Sequence, residues 1–382
     1  MRAGPYALGR FRPMRRLKRE GVMRGGDPEG RREALKGKAT MKDVARLAGA
    51  SLASVSRVLS ASAPVSEPLS KRIADAAREL DYAVNINARG LRGKSSGLVV
   101  VLVPDIANPF FSVVFQGVEE EARSRNMAVL IGDTGIDRGI AEGYWRLIKG
   151  HRADGVILLN GFLPYRAGAR GVGDYPIVVV SERIKGAGAP TVGIDNIAAA
   201  SEAVGYLAEL GHRRVAHIEG PSHNILTRQR REGYRKAVER HGLERWPEAV
   251  QPGDFTLAAG RRAMARLVEC DPPTALFAAN DEMAIGAVLE AKARGLRAPG
   301  DLSVVGFDDI DFAEAFDPPL TTIRQPRREM GRTAMQILCR MIDEPDEPRA
   351  DVLLEHRLIV RGSASPPSAV RTVGRSAASR EP

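Results

Sequence analysis

From residue 96 onward, short apolar runs alternate with stretches whose apolar residues recur every three or four positions. The runs predict strands at Leu98–Val103, Ala128–Ile131, Gly155–Leu159, Ile177–Val180, Thr191–Ile194, Arg214–Ile218, Ala275–Ala278 and Ser303–Gly306. The helical spacing predicts helices at Phe111–Arg125, Ala199–Leu210, Arg230–His241, Ala258–Val268 and Ala284–Arg294. Strands apolar throughout must be covered on both faces, so this alternation implies parallel sheet in an α/β architecture. Residues 96–362, about 270 positions, suffice for two such sheets.

Residues 40–82 read differently, as three short helices. Thr40 followed by Asp43 starts the first, Met41 to Ala48, and Gly49 stops it. Ser51 caps a second, Leu52 to Leu59. Ser66 caps a third, in which Ile73, Ala76, Ala77 and Leu80 fall at helical spacing. Val44, Leu47, Val55 and Val58 are expected to form the apolar face shared by the first two helices.

Three segments lack such patterning. Residues 1–39 are rich in Arg, Gly and Pro and read as a disordered basic extension; residues 363–382 read as a disordered tail. Residues 83–95 form a polar connector. Charge sharpens the division. Residues 1–95 carry 21 Lys and Arg against 9 Asp and Glu, leaving 36 against 38 for the remainder. A basic N-terminal quarter suits an acidic polymer, nucleic acid before membrane, although a solvated basic tail gives the same count.

Composition excludes several classes. The two cysteines are far apart, and no CxxC or Cys/His cluster is present, so neither a zinc site nor a disulfide framework is expected. No apolar run approaches the roughly 20 residues that span a bilayer. The Arg-rich N-terminus has no apolar core of a secretory signal, which implies a cytoplasmic protein. There is no GxGxxG turn, GxxxxGK[ST], GxSxG or HExxH, so no enzyme, cofactor or metal is expected.

The run TMKDVARLAGASLASVSRVLS, residues 40–60, sets two helices of about two turns on either side of Gly49-Ala50-Ser51, which is helix-turn-helix spacing. The second helix would present Leu52, Ala53, Ser54, Ser56 and Arg57 outward. Such a helix fits a major groove, where Arg57 can meet guanine bidentately, with Thr40, Ser51, Ser54 and Ser56 at phosphates or bases. A generic three-helix bundle would show the same core pattern.

These residues resemble the DNA-binding headpiece of the lactose-repressor (LacI) family of bacterial regulators. The resemblance is carried by MKDVARLAG, Ser51, SVSRVL, Val65-Ser66 and Glu79-Leu80-Asp81-Tyr82. It implies that Leu52 and Ala53 are the two specificity positions and Arg57 a third base contact. It also implies that the connector is a hinge that becomes helical only on DNA, using Asn85, Ala88 and Arg89, with Leu91 wedged into the minor groove. A plain flexible linker is the alternative. Val84 and Ser60 stand where the family usually has proline and asparagine, and Gly90 replaces a better helix former.

Residues 96–362 resemble the sugar-binding core shared by these repressors and periplasmic binding proteins. The matching stretches are VPDIANPFF, DGVIL, VGIDN, LGHRRVAHIEGP, RREGYRKA, AANDEMAIGA, VVGFDDI and PPLTTIRQP. The resemblance implies two lobes closing on a ligand that meets the C-terminal ends of strands. Asp308, Arg230, Arg228, Asn280 and Phe255 would line one lobe, and Asn108, Phe110 and Asp133 the other. Asp308 suits vicinal hydroxyls, and the two arginines also suit a carboxylate or phosphate. A homodimer or higher homo-oligomer on palindromic operator DNA follows, with a sugar-like or anionic effector controlling operator affinity. A solute-binding protein for transport and a sugar-metabolising enzyme are the rivals.

Overall fold

The structure is a computed structural model that describes residues 39–60, 63–82, 96–135, 137–149, 153–164, 175–270 and 272–368. They fall into two units, one within residues 1–85 and one within 86–382. The hinge positions Asn85, Ala88, Arg89 and Leu91 lie outside the described residues, as do residues 1–38.

The first unit contains α1 (Met41–Ala48), α2 (Leu52–Ser60) and α3 (Glu67–Glu79). α1 opens with a reciprocal cap. The Thr40 amide donates to Asp43 Oδ2 at 3.0 Å, and Thr40 Oγ1 accepts from the Asp43 amide at 3.4 Å. Gly49 closes α1 at φ 56°, where a side chain would be strained. Ser51 Oγ accepts from the Ser54 amide at 3.1 Å, starting α2. Pro68 sits in the first turn of α3, but the Ser66 side chain makes no cap bond, so that helix starts on its proline alone. Val44, Ala45, Ala48, Val55, Ile73 and Ala76 form the buried centre. Leu47, expected there, is 46% exposed. Val44, Ala45 and Ala48 already define the inward face, and Leu47 sits roughly 100° around the helix from its middle. The small alanines instead let the helices approach closely.

The second unit has two lobes, each a six-stranded sheet covered by helices. In chain order its elements begin with β1 (Leu98–Val103), α4 (Pro109–Ser124), β2 (Ala128–Asp133), α5 (Arg138–Lys149), β3 (Gly155–Leu158), β4 (Ile177–Val180) and β5 (Thr191–Gly193). They continue with α6 (Asn196–Glu209), β6 (Val215–Ile218), α7 (Ile225–Arg240), β7 (Val250–Gln251), α8 (Leu257–Cys270), β8 (Ala275–Ala278) and α9 (Asp281–Ala293). The last are β9 (Ser303–Asp308), α10 (Asp311–Ala315), β10 (Thr321–Arg324), α11 (Arg327–Asp343), β11 (Val352–Leu353) and β12 (Arg357–Ile359). Lobe 1 has the strand order β11-β5-β4-β3-β1-β2, and lobe 2 has β12-β10-β9-β8-β6-β7. Pairing is parallel except for β10 with β12. The chain therefore passes between the sheets three times, after β5, β10 and β11.

Central strands are buried along nearly all of their length, as their apolar runs require. α11 returns to lobe 1 and packs on α4 at two glycines. A Cβ on Gly117 would meet the Arg328 carbonyl oxygen at 2.0 Å, and one on Gly331 the Val114 oxygen at 1.9 Å. Only glycine permits this approach.

The tail is corrected in part. Residues 363–368 belong to the fold, because serines stitch them to β9 and β10. Ser363 is fully buried, its Oγ donating to the Val304 carbonyl at 2.6 Å and accepting from the Thr321 amide at 2.8 Å. Ser365 exchanges hydrogen bonds with Ser303 Oγ. Low apolar content concealed this, since backbone and hydroxyl pairing hold the segment. α5, α10, α11, β7 and β10–β12 had no expected counterpart. Their runs are short or, in α11, interrupted by arginines that face solvent.

Candidate functional site

Two sites emerge, one in each unit. On α2, Val55 is fully buried while Ser51, Leu52, Ala53 and Arg57 are exposed and Ser54 and Ser56 half-buried. The helix thus has one anchored face and one presented face. Leu52, at the start of this helix, is 45% exposed and so lies on the presented face. Ser51 spends its hydroxyl on the cap with Ser54, and Thr40 spends its own on Asp43, so both position helices as well as lying at the exposed surface.

In the second unit, a cavity of about 470 Å³ lies between the lobes and is walled by residues that follow strand ends. Asn108, Phe110, Arg228, Arg230, Phe255, Asn280 and Asp308 all line it. Asp133 does not. Its carboxylate accepts from the amides of Ile106 and Gly135, at 3.3 and 3.0 Å, so it shapes the loop after β1 from outside the cavity.

The floor is an acid–base pair in lobe 2. Arg230 and Asp308 are buried, with Nη1 3.8 Å from Oδ1. Arg230 Nε donates to Asn196 Oδ1 at 3.0 Å, Nη1 to the Ala279 carbonyl, and its guanidinium lies 3.8 Å from the Phe307 ring centroid. Asp308 Oδ1 accepts from Gln325 Nε2 at 2.7 Å. Arg230 Nη2 and Asp308 Oδ2 meet no partner among the described residues. Burial pushes the Asp308 carboxyl up to about 6, against the opposing pull of Arg230. Burial likewise lowers the Arg230 pKa.

Local sequence explains this placement. Gly233 brings α7 against α6, since a Cβ there would meet the Ile197 carbonyl oxygen at 2.4 Å. Arg230, about one turn earlier, is carried to the cavity. Asp308 ends β9 and Asp309 follows it, with φ of 114° and 56°, and Phe255 sits at φ 68°. Each such residue costs on the order of 1–3 kcal/mol, sustained by surrounding bonds. Asn280 is one of these supports. Its Oδ1 caps α9 at Met283, and its Nδ2 donates to the Phe255 carbonyl at 2.8 Å. Gly220 leaves room for the Phe255 ring, which a Cβ would strike at 2.3 Å.

Asn108 caps α4 through the Phe110 amide at 2.9 Å, and Phe110 packs edge-on to Phe111. Arg228 Nη1 donates to the His223 carbonyl at 2.9 Å.

Sequence reasoning missed Asn160, Glu182, Asn224, Glu282 and Gln325, all of which line the cavity. Glu182 Oε1 accepts from Asn224 Nδ2 at 2.8 Å, joining the lobes across the cavity. Burial raises Glu182, and burial with the nearby Asp105 and Asp308 raises Glu282 to about 6. Asn160, Glu182 and Gln325 stand just past the ends of β3, β4 and β10. That position was readable from the sequence wherever the strand itself was.

Both units have matches among known proteins. Residues 40–85 match the family model for bacterial regulatory proteins of the lacI family, and residues 204–364 that for the periplasmic binding protein-like domain. The chain is 41% identical over 327 residues to the HTH-type transcriptional repressor CytR of Escherichia coli (strain K12), covering 85% of this chain and 96% of that protein. It is 34% identical over 337 residues to the repressor PurR of Aliivibrio fischeri (strain ATCC 700601 / ES114), covering 86% and 98%. Among solved structures, the lac repressor dimer bound to operator and the anti-inducer ONPF superposes with a TM-score of 0.75 at 26% identity, covering 86% of this chain and 100% of that one. The transcriptional regulator CelR–cellobiose complex superposes with a TM-score of 0.63 at 30% identity, covering 85% and 100%. These matches cover headpiece and core together, which neither a transport binding protein nor a metabolic enzyme would produce. The chain is a DNA-binding transcriptional regulator and belongs to the lacI family of bacterial regulatory proteins.

Proposed function

We propose that this chain is a cytoplasmic repressor that binds palindromic operator DNA as a homodimer or higher homo-oligomer, and that a hydroxylated small molecule between its lobes releases it. Arg57, with Leu52 and Ala53, reads base edges, and Thr40, Ser51, Ser54 and Ser56 hold the backbone. The connector carrying Asn85, Ala88, Arg89 and Leu91 enters the minor groove. In the core, Asp308 and Arg230 grip vicinal hydroxyls, Phe255 covers an apolar sugar face, and Phe110, Asn108, Asn280 and Arg228 complete the wall.

One observation carries this reading. The same chain holds a helix with an exposed Arg57 and a cavity between two lobes that is lined by the buried Arg230–Asp308 pair. Ligand and DNA are then linked. A molecule that prefers one closure state shifts operator affinity by roughly 1–3 kcal/mol.

The test selects duplexes from a random pool with the full chain and measures binding to the winner at rising salt. Inverted half-sites, a steep salt slope and weakening by a sugar or sugar acid are expected. Binding indifferent to sequence and salt would overturn the operator reading, and binding unmoved by every sugar would overturn the effector reading.

A further inference from the structure

The charged groups around the cavity are not equally committed. Arg230 faces Asp308 and spends two nitrogens on Asn196 and Ala279. Arg228 is bonded to the His223 carbonyl and lies near Glu182, whose carboxyl burial raises against the weaker pull of Asn224, Arg230 and Arg228. Arg183 pairs with Asp351, Nη2 to Oδ2, at 3.3 Å. Two lining cations remain, both on lobe 1. Arg138 lies over the Phe162 ring, 4.8 Å from its centroid, and pairs with no carboxylate among the described residues. Lys185 has no ion pair or hydrogen bond among the described residues.

A second observation falls on the same wall. Asn160 is 6% exposed, and its Nδ2 and Oδ1 are both buried without a partner among the described residues. It stands just past β3, two positions before the Phe162 ring that carries Arg138. A buried amide without a partner is costly, and a ligand atom is one kind of partner that would satisfy it. Arg138 brings a planar fork suited to two oxygens, Lys185 a point charge, and Asn160 a neutral donor.

We propose that Arg138, Lys185 and Asn160 form an anion subsite at the lobe-1 end of the cavity, so that the effector is a hydroxylated molecule bearing a carboxylate or phosphate. This rests on the effector reading above and deepens it. Arg230 does not supply this charge, because Asp308 offsets it. The hydroxyls meet Asp308 and Arg230 in lobe 2 and the anion meets lobe 1, so only a ligand with both groups engages both lobes. Cation–π contact with Phe162 orients Arg138 without neutralising it.

The experiment titrates the full chain calorimetrically with galactose, galacturonate, galactose 6-phosphate and inorganic phosphate. At least one sugar anion is expected to bind tenfold or more tighter than galactose, the two arms separating carboxylate from phosphate. The Arg138→Ala/Lys185→Ala variant is expected to bring that ratio within twofold and to abolish any binding of inorganic phosphate. Both side chains are exposed, and a thermal melt confirms that the variant is folded. Galactose binding as tightly as its anions, a double variant that keeps the preference, or no response to any of the four would overturn the subsite. Asp308→Asn separates the two readings. If it leaves sugar binding intact, the effector site itself is misplaced. If it abolishes sugar binding while the double variant changes nothing, only the anion subsite falls.

Discussion

Arg230 Nη1 and Asp308 Oδ1 lie 3.8 Å apart, with neither side chain as much as one-tenth exposed. Each charge is tolerable because the other is present. Arg230→Ala leaves Asp308 buried and uncompensated, and also removes the bonds to Asn196 and Ala279. A loss of about 3–5 kcal/mol of core stability is expected in urea denaturation. Arg230→Lys should recover little, because an ammonium cannot span Asn196, Ala279 and Asp308 at once. A loss below about 1 kcal/mol would mean that the pair does not organise the floor.

The same pair makes a pH prediction. The Asp308 carboxyl is raised from 3.8 to about 6, so between those values the folded chain holds a proton that the unfolded chain has released. Stability from this group is present below pH 4 and lost as pH rises through 6. Other carboxyls shift the opposite way, so the difference between wild type and Asp308→Asn isolates it. That difference should move in favour of the variant by on the order of 2–3 kcal/mol between pH 4 and pH 7. Denaturation series at four pH values check it, and a flat difference would exclude a raised Asp308.

Much of this was legible in the residues. The strands of both sheets announce themselves because buried parallel strands are apolar throughout, and Thr40, Gly49 and Ser51 mark the α1 and α2 boundaries by cap chemistry alone. Sequence did not reveal which polar groups are already satisfied. Asp133 and Asn108 look alike as residues after strands, yet the first braces a loop outside the cavity and the second caps a helix at its wall. Glu182 and Asn224 are 42 positions apart, and only the crossing between sheets brings them together. Of the elements left unexpected, α10, β7 and β10–β12 are short, whereas in α5 and α11 charged residues interrupt the apolar spacing, and packing partners that local patterning cannot show supply their stability.

The α4–α11 crossing predicts a steric failure. Gly331→Ala would place a methyl group 1.9 Å from the Val114 carbonyl oxygen, which is backbone and cannot swing away. The helices must separate, and a cost of about 1–3 kcal/mol or more is expected, the usual range for overpacking. Alanine at the half-buried Gly143 of α5, where a Cβ meets nothing within 4 Å, should instead stabilise slightly. Equal melting temperatures for the two variants would contradict the close approach.

On α2, Arg57→Ala should weaken binding to the selected operator by about 1–3 kcal/mol, roughly 5- to 150-fold, and relax preference at one base pair per half-site. Val55→Ala acts otherwise. Val55 is fully buried, so its truncation should unfold the headpiece and weaken all sequences alike. Competition binding with single-base operator variants distinguishes the two, and an Arg57→Ala protein with unchanged base preference would remove Arg57 from base readout.

The contact between Glu182 and Asn224 is set from both sides before any ligand arrives. Asn224 Oδ1 accepts from the amides of Leu226 and Thr227, at 2.7 and 3.3 Å, so α7 of lobe 2 fixes its side chain. Glu182 follows β4 of lobe 1, and burial raises its carboxyl above the usual range. The hydrogen bond between them at 2.8 Å therefore favours closure in the free protein. Removing Asn224 would also uncap α7, so the informative changes are at Glu182. Glu182→Gln keeps a carbonyl acceptor and should preserve the closed population, whereas Glu182→Ala should shift the balance toward open by roughly 2- to 10-fold, as expected for one hydrogen bond of about 0.5–1.5 kcal/mol. Spin labels at Arg123→Cys and Glu239→Cys, both exposed on opposite lobes, report the interlobe distance. If Gln and Ala give the same distribution, the bond does not hold the lobes together, and closure must come from the ligand alone.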